Sequence, residues 1–275
     1  MISGSAMQAG PPAGAGFLAG LVWKWKHHPQ IELWIVWWSM PIFYQIFTIA
    51  YFVLARTQPP PPPHWNLAQI KDWMALRHAG IDIGYIWFYL TIGLPGWHIG
   101  LIAVLLKRMS ISPAYAYAYI GTMAAGTLPG ALLNGIGYSL LFLRPDRSPA
   151  ARSFLYEFAN LTFVGTMGVF FIGSLILVIA ILLDKNDILP KWFGFACIWN
   201  LTTEFAVAPA WIWQHGPMTW TGGITYYWNM VVYGAWQIMY FIVFYKAINK
   251  IPSRRPPPLP AAVNVASQPM TAEGA

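Results

Sequence analysis

Asn200 and Glu204 stand four residues apart in the run Trp192–Trp213, which is otherwise uncharged, apolar and long enough to cross a bilayer. Residues at that spacing share one helical face, with Thr203 alongside. A carboxyl at membrane depth costs about 2.5–3.5 kcal/mol to insert, so it turns toward a protein interior or a polar cavity. No Lys or Arg lies at comparable depth, and Glu204 is therefore expected to hold its proton at neutral pH. Such a group can donate a proton to an olefin, relay one, or bond a neighbouring helix. In the first two roles Glu204 would be the catalytic acid and Asn200 the residue that orients it.

Two other runs carry polar tips at helical spacing. Trp34, Trp38, Pro41, Gln45 and Thr48 recur at steps of three and four, as do Tyr226, Asn229, Tyr233, Gln237 and Tyr240. Facing lipid would strand the amides, so both stripes are expected to point inward. They then serve either as interhelical hydrogen bonds or as an aromatic wall with a few polar groups, the usual lining of a small-molecule pocket. The candidate ligand-binding residues are Trp38, Gln45, Tyr226, Asn229, Tyr233 and Gln237. His98, just past Pro95-Gly96, and Asn134, in the third apolar run, complete the set.

Other chemistry is poorly supported. His78 and Asp82 share a helical face, but nothing supplies further ligands at metal-binding spacing, so no metal is expected, and Asp82 reads as a favourable charge near a helix N-terminus. Glycine-rich nucleotide loops, Cys pairs, a haem-attachment motif and a Gly-x-Ser-x-Gly elbow are all missing, and no cofactor is expected. Cys197 is the single cysteine. The net charge of +7 comes from Lys and Arg scattered between apolar runs, a pattern of headgroup anchors and not of nucleic-acid binding.

The elements that must hold these residues follow from composition. Hydrophobic residues make up 57 % of the 275 and charged residues only 9 %, against about 25 % in soluble domains. The expected fold is an all-α integral membrane bundle of about six transmembrane helices, near 31–54, 81–106, 115–143, 156–183, 192–213 and 224–245. Asn66 is expected to cap a short interfacial helix with Leu67, Ile70, Trp73 and Met74 on one face. Pro59–Pro63 should be extended. Residues 1–30 read as a flexible tail and an aromatic, basic anchor, and 249–275 as a disordered Pro/Ala-rich tail. Leu94-Pro95-Gly96, Leu128-Pro129-Gly130 and Pro209 should interrupt three spans. Gly96/Gly100 and Gly126/Gly130 are small-residue seams, within the bundle or toward a partner helix.

With six spans, Lys24, Lys26, Lys107, Arg108, Lys185, Lys191, Lys246, Lys250, Arg254 and Arg255 share one side. Arg56, Lys71, Arg77, Arg144, Arg147 and Arg152 lie on the other. That bias favours a cell (inner) membrane protein with both termini cytoplasmic. The expected partners are the lipid bilayer and an apolar or amphipathic small molecule such as a lipid, sterol or isoprenoid, bound near Glu204. An enzyme of this kind would be a cofactor-free acid–base isomerase or cyclase. The alternatives are a proton- or ion-coupled small-solute transporter and an accessory subunit of a membrane complex.

Overall fold

Backbone polar groups find no partner in hydrocarbon, and a chain this apolar must satisfy them within its own helices. The computed structural model describes residues 16–26, 28, 30–144, 146–165, 168 and 170–251. It is 78 % helix, with no strand among the described residues. Contacts divide the chain into two units: the terminal segments Met1–Ile31 and Ile251–Ala275, and the body Glu32–Lys250. In the terminal unit, α1 (Phe17–Lys26) leaves Phe17, Leu18 and Trp25 exposed. The remainder of both expected tails lies largely outside the described residues.

The body begins with α2 (Ile31–Thr48), which continues into a π-helical segment, Ile49–Leu54. The extended prolines follow. Trp220 Nε1 donates to Pro61 O (2.8 Å) and Tyr156 OH donates to Pro62 O (2.9 Å), so the turn-rich loop after residue 213 closes over this segment. α3 (Leu67–Ala75) starts at a capping box, in which the Asn66 side chain accepts from the Gln69 amide and Gln69 reaches back to the Asn66 amide. Ile70, Trp73 and Met74 are buried, while Leu67 is exposed.

The second expected span is α4 (His78–Thr91) followed by α5 (Leu94–Leu106), parted just before Pro95 as the missing N–H of proline requires. α6 (Ala114–Leu143), by contrast, runs unbroken past Pro129. The fourth expected span is two helices, α7 (Pro149–Val164) and α8 (Phe170–Leu183). α7 carries Arg152, Glu157 and Asn160, whereas α8 has no charged residue. The two part after Gly165, whose carbonyl accepts from Trp211 Nε1 at 2.9 Å. α9 (Lys191–Val207) tightens into a 3₁₀ turn, Ala208–Trp211, around Pro209, and a π-helical segment, Gly223–Trp228, leads into α10 (Asn229–Lys250). α6 packs on α4, α5, α7 and α8; α9 packs on α8 and α10.

Among the described residues three helical stretches are long and apolar enough to cross a membrane: Ile31–Leu54, His78–Leu106 and Gly223–Lys250. Leu132–Leu143 and Phe170–Leu183 are shorter apolar helices. The chain is thus a helical protein with membrane-spanning character.

A close-packed glycine pair lies at a position other than the expected Gly96/Gly100. A Cβ added to Gly96 or Gly100 would meet nothing within 4 Å. On Gly80 it would lie 2.0 Å from Leu54 O, and on Gly84 2.8 Å from Ala50 O. The π-helical end of α2 therefore lies backbone-to-backbone on α4 at Gly80-xxx-Gly84.

A polar clasp joins the α5–α6 and α8–α9 loops. Asp184 accepts from the Ser110 (2.7 Å), Asn186 (3.0 Å) and Ile188 (3.0 Å) amides. Lys191 caps the last carbonyls of α8, donating to Ile181 O (2.7 Å) and to Asp184 O. Burial pushes the Asp184 carboxyl up, but these amides and the Ser110 hydroxyl outweigh it and hold the group below its ordinary value of 3.8. A depressed folded-state pKa contributes stability above the unfolded value, lost as pH falls through the folded one. Asp184→Asn should cost about 1–3 kcal/mol at pH 7, because the new amide meets the Ile188 N–H. Thermal unfolding in detergent at pH 7 and pH 3 should show the wild-type advantage shrinking at the lower pH. An unchanged gap would remove the clasp's ionic role.

Candidate functional site

α9 and α10 run antiparallel, and their aromatic contacts set the register. Phe193 packs on Tyr240 and Phe244 (centroids 6.2 and 6.1 Å), and Trp236 Nε1 donates to Cys197 Sγ at 3.4 Å. Glu204 lies further along α9, toward the end of α10 that carries Asn229 and Tyr233. Continued three residues beyond the Cys197–Trp236 contact, that register sets Asn200 level with Tyr233, about one turn from Gln237.

α2 adds Tyr44. Its hydroxyl shares a hydrogen bond with the Tyr233 hydroxyl and donates to Gln237 Oε1 at 3.2 Å. Glu204 and Asn200 are 6 % and 1 % exposed. Glu204 Oε2, Asn200 Oδ1 and Gln237 Nε2 are buried with no hydrogen-bond partner among the described residues. Gln237 lies on α10 and Asn200 and Glu204 on the α9 helix packed against it, and none of the three is bonded to another. Leaving such groups unpaired costs about 1–3 kcal/mol each.

Other buried polar groups divide: Gln58 Oε1 and Thr225 Oγ1 also have no hydrogen-bond partner among the described residues, whereas one cluster is bonded throughout its amides. Tyr85 OH donates to Asn134 Oδ1 (3.1 Å), and Asn134 Nδ2 donates to Ala159 O (2.6 Å). Tyr138 OH donates to Asn160 Oδ1 (2.6 Å), and Asn160 Nδ2 donates to Tyr156 O (2.8 Å). This network ties α4, α6 and α7 together with its side-chain amides bonded. Asn134 belongs to it and is not joined by these bonds to the Glu204 seam.

The remaining expected residues divide by burial. Tyr226, Asn229, Gln237 and Tyr240 are buried on one face of the last helix, as the stripe requires. Tyr226 packs in the core cluster with Tyr51, Tyr85 and Tyr156, and Asn229 sits one turn before Tyr233. His98 is buried against Tyr240 (5.3 Å) and Phe244 (6.1 Å), extending the aromatic wall away from Glu204. The first stripe faces the other way: Trp38 is 52 % exposed and Gln45 is exposed. Trp37, Phe43 and Tyr51 are buried instead, and Phe47 stacks on Tyr51 (4.5 Å) and Phe163 (6.0 Å). These rings bury more apolar area than the stripe with the amide, so the helix turns roughly one residue away from the expected face. Tyr44 was not among the expected residues, although Trp37, Met40, Tyr44, Phe47 and Tyr51 form a competing stripe at the same spacing.

His78 Nδ1 lies 3.4 Å from Asp82 Oδ2, both well exposed. Two surface cavities lie elsewhere, neither lined by Glu204, Asn200 or Tyr233. One, of about 460 Å³, lies between the start of α9 and the end of α10 at Lys191, Trp192, Lys246 and Lys250. The other, of about 190 Å³, involves Lys71, His78 and Arg152. Compared with protein-family models, curated proteins and solved structures, the chain finds no match.

Proposed function

We propose that the chain is a membrane protein of about six spans that binds the polar end of an apolar or amphipathic small molecule, of lipid, sterol or isoprenoid type, between α2, α9 and α10. The observation that carries this reading is the set of buried atoms without a hydrogen-bond partner among the described residues: Glu204 Oε2, Asn200 Oδ1 and Gln237 Nε2. A ligand hydroxyl could accept from Gln237 and donate to Asn200, with Glu204 as a second polar contact. Tyr240, Trp236 and Phe193 supply an apolar wall along the same seam. The Lys/Arg bias supports placement in the cell membrane with both termini cytoplasmic.

A second reading rests on the Glu204 carboxyl and the hydrogen-bonded hydroxyls of Tyr233 and Tyr44, carried on three different helices. A buried acid can take up and release a proton, as a carrier coupled to a proton gradient needs. In an enzyme the same carboxyl would serve as the acid, with Asn200 orienting it.

Mass spectrometry of small molecules retained through purification in mild detergent tests the main reading. One amphipathic species bearing a hydroxyl, amide or carboxyl should be enriched well above its share of the source membrane. A profile matching the bulk lipids would overturn the reading. Cargo movement into liposomes only under an imposed pH gradient would select the carrier, and conversion of the retained species in a sealed, gradient-free sample would select the enzyme.

A further inference from the structure

The smaller cavity gathers cationic side chains from three helices. Lys71 comes from α3, His78 from α4 and Arg152 from α7, over a floor of Met74, Leu141 and Phe142. Arg152 is the informative member. Its Nε is buried, and among the described residues it has no hydrogen-bond partner and no carboxylate within ion-pair distance. His78 faces Asp82, so that pair adds no net charge when the imidazolium forms. Lys71 and Arg152 are left as two positive charges on one small cavity.

Arg152 is half-exposed with its Nε buried, and its planar donors suit the oxygens of a phosphate reaching it from the cavity. At about 30 Å³ per water-sized group, 190 Å³ holds a phosphodiester and part of its glycerol. The surroundings decide between a lipid and a free anion. Leu76, Leu143 and Phe154, on the segments that form the cavity, are 82 %, 70 % and 65 % exposed. α3 is short, packs Ile70, Trp73 and Met74 into the protein core, and presents Lys71 and Asp72 on its exposed side. Exposed apolar side chains beside a basic cavity suit acyl chains beside a headgroup.

We propose that the cavity of Lys71 and Arg152 is a binding site for the phosphate of an anionic phospholipid, independent of the Glu204 seam. The site gives a role to basic residues on the side of the bundle that the Lys/Arg bias leaves poorer in charge. Arg152 would hold the phosphate through its fork, Lys71 would add charge from the rim, and α3 would be fastened to the membrane surface.

Native mass spectrometry of the full chain in detergent, titrated with short-chain phosphatidylglycerol or with phosphatidylcholine of the same chains, tests the site. Phosphatidylglycerol should bind more tightly than phosphatidylcholine, and inorganic phosphate at millimolar concentration should not displace it. Arg152→Gln should weaken phosphatidylglycerol binding about tenfold or more, and Lys71→Gln about threefold to fivefold. Lys246→Gln, in the other cavity, should leave that binding unchanged. Should Arg152→Gln fail to fold, Arg152→Lys, which keeps the charge and loses the fork, and the rim variant Lys71→Gln decide the matter. Equal binding of the two lipids, unaltered phosphatidylglycerol binding in Lys71→Gln and Arg152→Lys, or displacement by inorganic phosphate would each overturn the proposal.

Discussion

Replacing Glu204 with leucine is expected to stabilise the folded protein by about 1–3 kcal/mol while abolishing retention of the amphipathic ligand. The carboxyl is 6 % exposed and its Oε2 has no partner, so the fold carries a desolvation cost that an apolar side chain of similar size removes. A residue retained against its own contribution to stability is the signature of a working site. Glu204→Gln keeps the shape and should separate the readings: a ligand held only by hydrogen bonding weakens modestly, whereas proton transfer is lost. Asn134→Ala is the contrasting case, because it leaves the Tyr85 hydroxyl and the Ala159 carbonyl without their amide and should cost about 2–4 kcal/mol. Cys197 offers a built-in assay. It is the single cysteine and 1 % exposed, so a thiol-reactive dye reports unfolding directly. A Glu204→Leu protein that melts below wild type would mean that the carboxyl is structural, and the functional assignment would fall with it.

Gly80→Ala is expected to destabilise the protein by about 3 kcal/mol or more. The added Cβ would stand 2.0 Å from Leu54 O and 2.9 Å from Leu54 C, a clash with backbone that no rotamer change relieves. Overpacking against side chains already costs about 1–3 kcal/mol, and here a whole helical segment would have to move. That segment carries Tyr51, which packs edge-on against Tyr85 and Phe88 (both 5.1 Å), so the damage would spread into the core. Gly100→Ala is the control. Nothing lies within 4 Å of its Cβ, and the exchange should be neutral or stabilising by up to about 1 kcal/mol. Dye labelling of Cys197 during a thermal ramp measures both. Equal melting temperatures for the two variants would show that the α2–α4 contact is not close.

Periodicity and charge were enough to place the last helix. Tyr226, Asn229, Gln237 and Tyr240 of the stripe are buried and Tyr233 is half-buried, while the rival face Tyr227, Val231, Ile238, Ile242 and Tyr245, which carries no amide, is exposed. Glu204 and Asn200 were legible for a related reason, since a lone carboxyl in an uncharged run has nowhere inexpensive to go except inward. The Asn66 cap and the break before Pro95 were legible because both are local: one turn of backbone supplies the partners. The first helix was not. It carries two stripes at the same spacing, and the choice between Gln45 and Tyr44 rests on which aromatic rings find neighbours on α4 and α7, a contact between segments far apart in the chain. The glycine seams repeat the lesson. Gly80-xxx-Gly84 and Gly96-xxx-Gly100 are equivalent as patterns, and only the path of α2 decides which of them meets a backbone. The same holds for the site as a whole. A sequence shows which polar groups must be buried, but whether a buried group finds a partner is a property of the helix opposite, and that difference separates the bonded Asn134 from the unpaired Asn200.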